Sequence, residues 1–377
     1  MSSPVRGLDG VVAVRTQLSQ VDGKRGVLII GGYPIEELAG KATFEEAAFL
    51  LWNGRLPDSS DADAMRREIA ALRPIPHQTL ALVAEAATRG VPAMDALRMG
   101  CSTLSLDMRD ANAIAHDADV ASAKMLVARF PTIVAAYVRA SAGQEPIAPR
   151  ADLPLAANFL YMITGSEPDP VAARALEAYW VTVIDHGLNA STFTARVIAS
   201  TRSDMVSAVT GAIGALKGPL HGGAPGPVLD MLLDIGTRDN AEQWVREELA
   251  AGRRIMGFGH RVYRVRDPRA EVLSKVAAGM SGAALQDRGL FELARDVEKT
   301  VLHVLDEVKP GRNLKTNVEF YTALVLQSIG LKPALFSAIF ACGRCAGWCA
   351  HVMEQHAEDH LIRPDSEYVG PRSVLRH

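Results

Sequence analysis

Three histidines stand in segments built from glycine and other small residues: Asp185-His186-Gly187-Leu188-Asn189, Lys217-Gly218-Pro219-Leu220-His221-Gly222-Gly223 and Gly257-Phe258-Gly259-His260-Arg261. Small neighbours let backbone approach a ligand closely, and a neutral imidazole can donate a proton to an oxygen on which charge is building. Ordering flexible residues around a histidine has an entropic cost, so a purely structural reason is the harder account for three such segments. The third segment continues to Arg269 as GFGHRVYRVRDPR, with Arg261, Arg264, Arg266 and Arg269 within nine residues. Arginine holds a fixed charge on a planar fork that matches carboxylate or phosphate oxygens. The stretch therefore predicts a site for a phosphate-bearing cofactor or a dicarboxylate, with a solvated basic loop as the alternative.

Other chemistry-bearing residues read as ordinary. His77 follows a proline turn, His303 sits in a helical run, and His356 and His360 fall on a polar helical stretch. Each is expected to be solvated or satisfied. Cys342, Cys345 and Cys349 cluster at helical spacing around Arg344 and Trp348. Thiols could join a tetrahedral metal set, but cysteines on one face of an Ala-rich helix commonly pack as small hydrophobes, and no metal is expected. Four cysteines in 377 residues argue against a disulfide framework and suit a reducing compartment.

The elements that must position these residues read as helices. From Phe44 onward Ala, Leu and Glu dominate windows such as 44–52, 79–87 and 171–184, with apolar residues three or four apart. Breakers divide them at Leu56-Pro57-Asp58, 73–77, 140–154 and Leu331-Lys332-Pro333. Two short strands, Val11–Val14 and Gly26–Ile30, are expected around Val21-Asp22-Gly23-Lys24, because Asp-Gly favours tight hairpins. No regular strand–helix alternation follows, which argues against a parallel sheet. Gly257-Phe258-Gly259 lacks the third glycine of a dinucleotide fingerprint, Val262 standing in its place, and no strand-like run precedes it. There is no internal repeat and no low-complexity tract.

At 48% hydrophobic and 22% charged residues, the chain is long enough for two domains with their own cores. A formal net charge of -3 and a pI near 6.4 provide no overall basic field, which disfavours nucleic acid as a partner. No run reaches the roughly 18–20 unbroken apolar residues of a membrane span, and Met1 to Gly10 lacks a signal-peptide core. A cytoplasmic protein is expected.

GFGHRVYRVRDPR resembles the signature of the citrate synthase family over its full length. The likeness extends, in the same order as in bacterial members, to GLDGVVAVRTQLSQVDGKRGVLI, DHGLNASTFTARVIAST, AIGALKGPLHGGA, NVEFYTA, GWCAHVMEQ, LIRP and YVG. The resemblance implies a mainly α, two-domain helical fold with a short N-terminal β-hairpin. A large domain, residues 1–222 and 331–377, would carry a small one, 223–330, that closes over the active site. The assembly would be a homodimer whose partner contributes to each site. The implied reaction joins acetyl-CoA, or propionyl-CoA, to oxaloacetate to give citrate, or 2-methylcitrate, and free CoA, with the coenzyme A thioester as substrate and no permanently bound cofactor.

Carried over residue by residue, the resemblance implies that His221 hydrogen-bonds the thioester oxygen as the enol develops and that His260 polarises the oxo-acid carbonyl. His186, Arg269, Arg344 and Arg363 would clamp the dianion, Arg363 reaching across from the other chain. Met256, Gly257, Phe258, Gly259 and Arg264 would hold CoA, with Lys217 and Lys315 as further candidates. The chain departs from the family in two places. Glu319, in Asn317-Val318-Glu319-Phe320-Tyr321, stands where the family has its aspartate base. The added methylene matters because a misplacement of about 1 Å can cost roughly a hundredfold in rate; Glu319 is nevertheless the expected base. Gly31 stands where many relatives carry an arginine, which loosens CoA phosphate contacts or simply changes a surface charge. Beside a synthase stand two other readings: a citryl-CoA lyase using the same groups in reverse, and a weakly active paralogue that binds CoA or dicarboxylates.

Overall fold

The computed structural model describes residues 6–8, 10–108, 115–222, 225–260, 262–280 and 288–371. Among these, helix dominates, and the strands form one antiparallel sheet of β1 (Ser19–Asp22), β2 (Val27–Ile30) and β3 (Tyr33–Pro34). The expected hairpin is present with its first strand displaced from Val11–Val14 to Ser19–Asp22. Pairing of Asp22 with Val27 sets the register, and the Asp22 Oδ1 accepts from the amides of Lys24 and Arg25, both at 3.0 Å, to close the turn. That register turns Leu28 and Ile30 into the core. Val11–Val14 has no partner strand among the described residues and stays largely exposed, Val12 at 84%.

The three helical windows are the helices Phe44–Asn53, His77–Thr88 and Pro170–Thr182. Thr43 and Glu46 close the first with reciprocal side-chain bonds to backbone amides. Asp169 caps the third, which ends at Thr182, so Val183 and Ile184 lie in the loop that follows rather than in the helix. The axis of the fold is the C-terminal helix Phe336–Glu358, buried along almost its whole length against His116–Ser141, Ala190–Ala199 and Met205–Leu216. Three buried indoles tie elements to or along this axis: Trp52 donates to the Ala346 carbonyl, Trp180 to the Ile339 carbonyl and Trp348 to the Ser191 hydroxyl, all within 3.1 Å. The segments His116–Ser141 and Pro333–Glu358 are long and apolar enough to cross a membrane, but 72% and 89% of their apolar windows are buried inside the protein, so they serve as core helices.

All four cysteines are buried and free, and burial pushes the thiols of Cys342 and Cys345 upward, which leaves them as inert packing groups. Among the described residues no three His, Cys, Asp or Glu side chains group as metal ligands. His77 and His303 are exposed, the latter beside Glu307. His356 takes the satisfied role: its side chain is buried, and its two ring nitrogens face Asp119 and the Ser203 carbonyl. His360 lies beyond the helix, after Asp359 turns the chain at φ 49°.

Gly31 has φ +53°, and a Cβ there would come within 2.7 Å of Leu50 Cγ. A side chain at this position would be strained and would have to displace Leu50.

A second group of helices, Pro225–Ile235, Arg238–Ala250, Pro268–Gly279, Arg288–Val308 and Val318–Ser328, pack on one another, and Pro268–Gly279 and Val318–Ser328 also rest against Pro170–Thr182. The principal cavity opens where this group meets the C-terminal helix.

Candidate active site

The cavity measures about 1130 Å³ and is lined by His186, His221, His260, Arg264, Arg269, Glu319 and Arg344, together with Phe193, Phe340 and the N-terminal stretch at Gly7, Leu8, Gly10, Val11 and Ala13. Residues spread over more than 150 positions of sequence therefore converge on one space, each fixed by its own local device.

His186 follows a buried anchor. Asp185 accepts from the Ser19 hydroxyl, and from the Gly187 amide at 3.3 Å, and pairs with His351 at 3.2 Å. His351 Nδ1 faces the Arg196 guanidinium at 2.9 Å. Because arginine only donates, that nitrogen accepts, and Nε2–H points at Asp185. Burial alone would raise the Asp185 pKa; His351, Arg344 and Ser19 outweigh it and hold the group at about 2. The loop is thus pinned beside a fixed carboxylate, and the His186 Nε2 lies 3.1 Å from the Tyr263 hydroxyl.

The other two histidines have their tautomers set by backbone. His260 Nδ1 accepts the amides of Val262 and Tyr263 at 3.0 and 3.1 Å. Its proton therefore sits on Nε2, 3.4 Å from an Arg269 nitrogen, so two donors converge from one side. His221 Nε2 accepts the Ser191 amide at 3.3 Å and lies 2.7 Å from the Ser191 hydroxyl, leaving the ring proton on Nδ1. Burial and Arg344 depress His221 to about 4, and burial and Arg269 depress His260 to about 4. Burial, with Arg269 and Arg344, takes His186 well below its ordinary value. Three neutral donors result near pH 7.

The two interior arginines differ in how they are compensated. Asp267 caps the helix Pro268–Gly279, grips Arg269 at 3.1 and 2.8 Å, and accepts the Val318 amide at 3.2 Å. It therefore locks Arg269 to the start of the Glu319 helix, and it outweighs burial to raise the Arg269 pKa. Arg344 has no such partner. Its Nε donates to the Val183 carbonyl at 2.6 Å, while one terminal nitrogen is buried without a hydrogen-bond partner among the described residues. Burial lowers its pKa to about 10.

Glu319 enters on the first turn of Val318–Ser328. Its amide is capped by Asn317 at 3.0 Å, while its carboxylate has no hydrogen-bond partner among the described residues. Burial, reinforced by Asp267 and opposed by Arg269 and Arg344, lifts the carboxyl to about 7.

Not every expected residue reaches the cavity. Met256, Gly257, Phe258 and Gly259 lie behind it. The Gly257 carbonyl accepts the Asn317 amide at 2.9 Å, the Gly259 carbonyl accepts the Asn317 side chain at 2.8 Å, and Phe258 packs edge-on against Phe320. At φ +82°, with Phe320 within 2.9 Å of a would-be Cβ, Gly257 permits this approach. Arg264 does line the cavity. Arg363 is exposed in the C-terminal segment and does not line it within this chain. Arg266 instead pairs with Glu271 and Glu298, both at 3.3 Å; Lys217 pairs with Asp95 and Lys315 with Asp306. Arg261 lies outside the described residues. Sequence reasoning missed Ser191, Asp267, Tyr263 and the Asp185–His351 pair. Asp267 had a visible signal, standing before Pro268 with an arginine next; the others have none short of the tertiary fold.

A family model described as "Citrate synthase, C-terminal domain" matches residues 7–365. A citrate synthase of Deinococcus radiodurans is 41% identical over 99% of this chain and 97% of its own length. A 2-methylcitrate synthase of Mycobacterium tuberculosis is 39% identical over 97% and 90%. Among solved structures, the ternary complex of Thermoplasma acidophilum citrate synthase with carboxymethyl coenzyme A and oxaloacetate superposes with a TM-score of 0.90, covering 100% of this chain and 99% of that one at 27% identity.

Proposed function

The chain belongs to the citrate synthase family, an enzyme of the condensing, transferase type, and from that premise we propose how its own residues carry out the reaction on acetyl-CoA and oxaloacetate. Oxaloacetate is a dianion with a ketone. The observation that carries the assignment is Arg344, a buried cation beside the cavity with one terminal nitrogen unpartnered among the described residues. A buried donor left unmade is costly, and a substrate carboxylate supplies what is missing. Arg269 and His186 complete the grip within the chain, and Arg363 of a second subunit closes it in a homodimer.

Glu319, with its pKa near 7, removes a proton from the methyl carbon next to the thioester carbonyl. The Nδ1–H of His221 donates to the oxygen of the enol that forms. The enol carbon attacks the ketone of oxaloacetate, whose oxygen is met by the Nε2–H of His260 and by Arg269. Water then cleaves the citryl thioester and releases CoA. Neutral imidazoles suit both oxygens, since preorganised donors aimed at developing charge are usually the largest electrostatic contribution. Arg264 contributes to holding CoA from the rim. The Met256 to Gly259 loop contributes by supporting the Glu319 helix, and reaches CoA only if residues 223–330 move as a small domain on closure.

Propionyl-CoA differs by one methylene, which a hydrophobic pocket discriminates by about 1–3 kcal/mol. The test is thiol release from each thioester with oxaloacetate. Turnover of either supports the reading, and their kcat/KM ratio separates a citrate from a 2-methylcitrate synthase. Tight oxaloacetate binding with no thiol release from either would reject it in favour of a binding protein.

A further inference from the structure

A second cavity, of about 420 Å³, opens between the C-terminal half of the helix Pro268–Gly279 and the helix Pro170–Thr182, with residues 40–43 along one side. Lys41, Arg174 and Lys275 line it from three separate elements, over an apolar floor that includes Val171 and Met280. The side chains of Lys41 and Arg174 have no hydrogen-bond or ion-pair partner among the described residues, and Lys275 shares only an exposed contact with Glu271. The one acid in the lining, Glu177, is raised to about 7 by burial and by Glu45. Near neutrality it therefore offsets less than one of the three cations.

We infer that this cavity binds a small organic anion carrying carboxylate or phosphate groups, and that its occupancy alters the affinity of the active cavity for its own anion. Three like charges around an apolar pocket repel one another until an anion is present, and the mixed lining suits a ligand with both a charged group and a carbon skeleton. The coupling follows from shared elements. One helix carries Arg269 at its start and Lys275 six residues further on, about 9 Å along the axis at 1.5 Å per residue. The facing helix, Pro170–Thr182, runs directly into the Asp185–His186 loop. An anion bridging Lys275 to Lys41 and Arg174 holds these two helices at one separation, and both ends of the active-site clamp depend on that separation. Such an effect is a coupling free energy and must act equally in both directions.

The binding claim stands apart from the proposed reaction; only the coupling claim rests on oxaloacetate being the active-site anion. The experiment is calorimetric titration of the full chain with inorganic phosphate and, separately, tricarballylate, at matched ionic strength and with oxaloacetate saturating the main cavity. Wild type is compared with Lys41→Gln/Arg174→Gln, and with Lys275→Gln should the double variant not fold. At least one probe is expected to bind one site per chain, at least tenfold more weakly in the variant. Phosphate alone binding assigns a phosphate ligand, and tricarballylate alone a carboxylate. Absence of binding in wild type, or equal binding in wild type and variant, overturns the site. A reciprocal titration of oxaloacetate should show its dissociation constant shifted at least twofold by the bound probe in wild type and unshifted in the variant; no shift in wild type overturns the coupling. If oxaloacetate itself fails to bind, the proposed function fails, while the probe titration still decides the site.

Discussion

Replacing Arg344 with methionine should weaken substrate binding severely without weakening the fold. Arg344 is 1% exposed, and burial draws its pKa down to about 10. At about 1.4 kcal/mol per pH unit, that depression corresponds to a penalty on the order of 3 kcal/mol for keeping the charge in place. Methionine removes the penalty, fills much of the volume of the aliphatic stem, and leaves the buried Val183 carbonyl without its donor, at about 1–3 kcal/mol. The ligand-free variant should therefore unfold at the wild-type temperature or above it. Binding moves the other way. Truncating one partner of a buried, hydrogen-bonded charge pair costs about 2–5 kcal/mol, so kcat/KM for oxaloacetate should fall at least thirtyfold. Thermal unfolding with and without oxaloacetate, together with steady-state kinetics, tests both signs. A variant that melts several degrees lower yet keeps the wild-type KM for oxaloacetate would make Arg344 a structural residue and not a substrate clamp.

Other outcomes follow from the same geometry. Because Glu319 must be ionised to accept a proton and titrates near 7, kcat/KM for the thioester should fall about tenfold per pH unit below 7 and level off above it; His221 and His260, neutral above about 4, add no second limb in that range. Ser191→Ala removes the hydroxyl beside His221 Nε2 and should lower kcat tenfold or more, since positioned proton donors contribute roughly 10² to 10⁴, with little change in the KM for oxaloacetate. Gly257→Ala forces a non-glycine residue to φ +82° against Phe320; denaturant unfolding should show a loss of about 1–3 kcal/mol, and thiol release should fall with it.

Much of the site was legible because its chemistry is concentrated in short segments. His186, His221 and His260 sit in glycine-rich turns and Arg269 in an arginine-rich stretch, where the residues themselves mark the site, whereas Glu319, on the first turn of its helix, is marked only by the family resemblance. What stayed hidden is what holds them. Arg344 lies mid-helix among buried cysteines, and its unpartnered nitrogen is a property of packing. His351 is an unremarked helical histidine until Asp185 and Arg196 arrive from elsewhere in the chain. The displaced first strand has a similar cause: Val11–Val14 has the composition of a strand, but β2 pairs with the segment adjacent to the Asp22 turn, and Val11 and Ala13 are left lining the cavity. The loop Met256 to Gly259 shows the opposite case, a motif recognised by its residues whose backbone, in this conformation, is tied to Asn317 rather than turned towards the cavity.

The claim on which the rest depends is that Glu319 is the base of a condensing reaction. The direct measurement is thiol release from acetyl-CoA with oxaloacetate, at pH 8, for wild type, Glu319→Gln and Glu319→Asp. Ready turnover by wild type is expected, with a loss of at least roughly a hundredfold in the glutamine variant and no gain in the aspartate variant, whose shorter side chain withdraws the carboxylate by one methylene. A glutamine variant that keeps most of its activity, or a silent wild type beside an active aspartate variant, would contradict it.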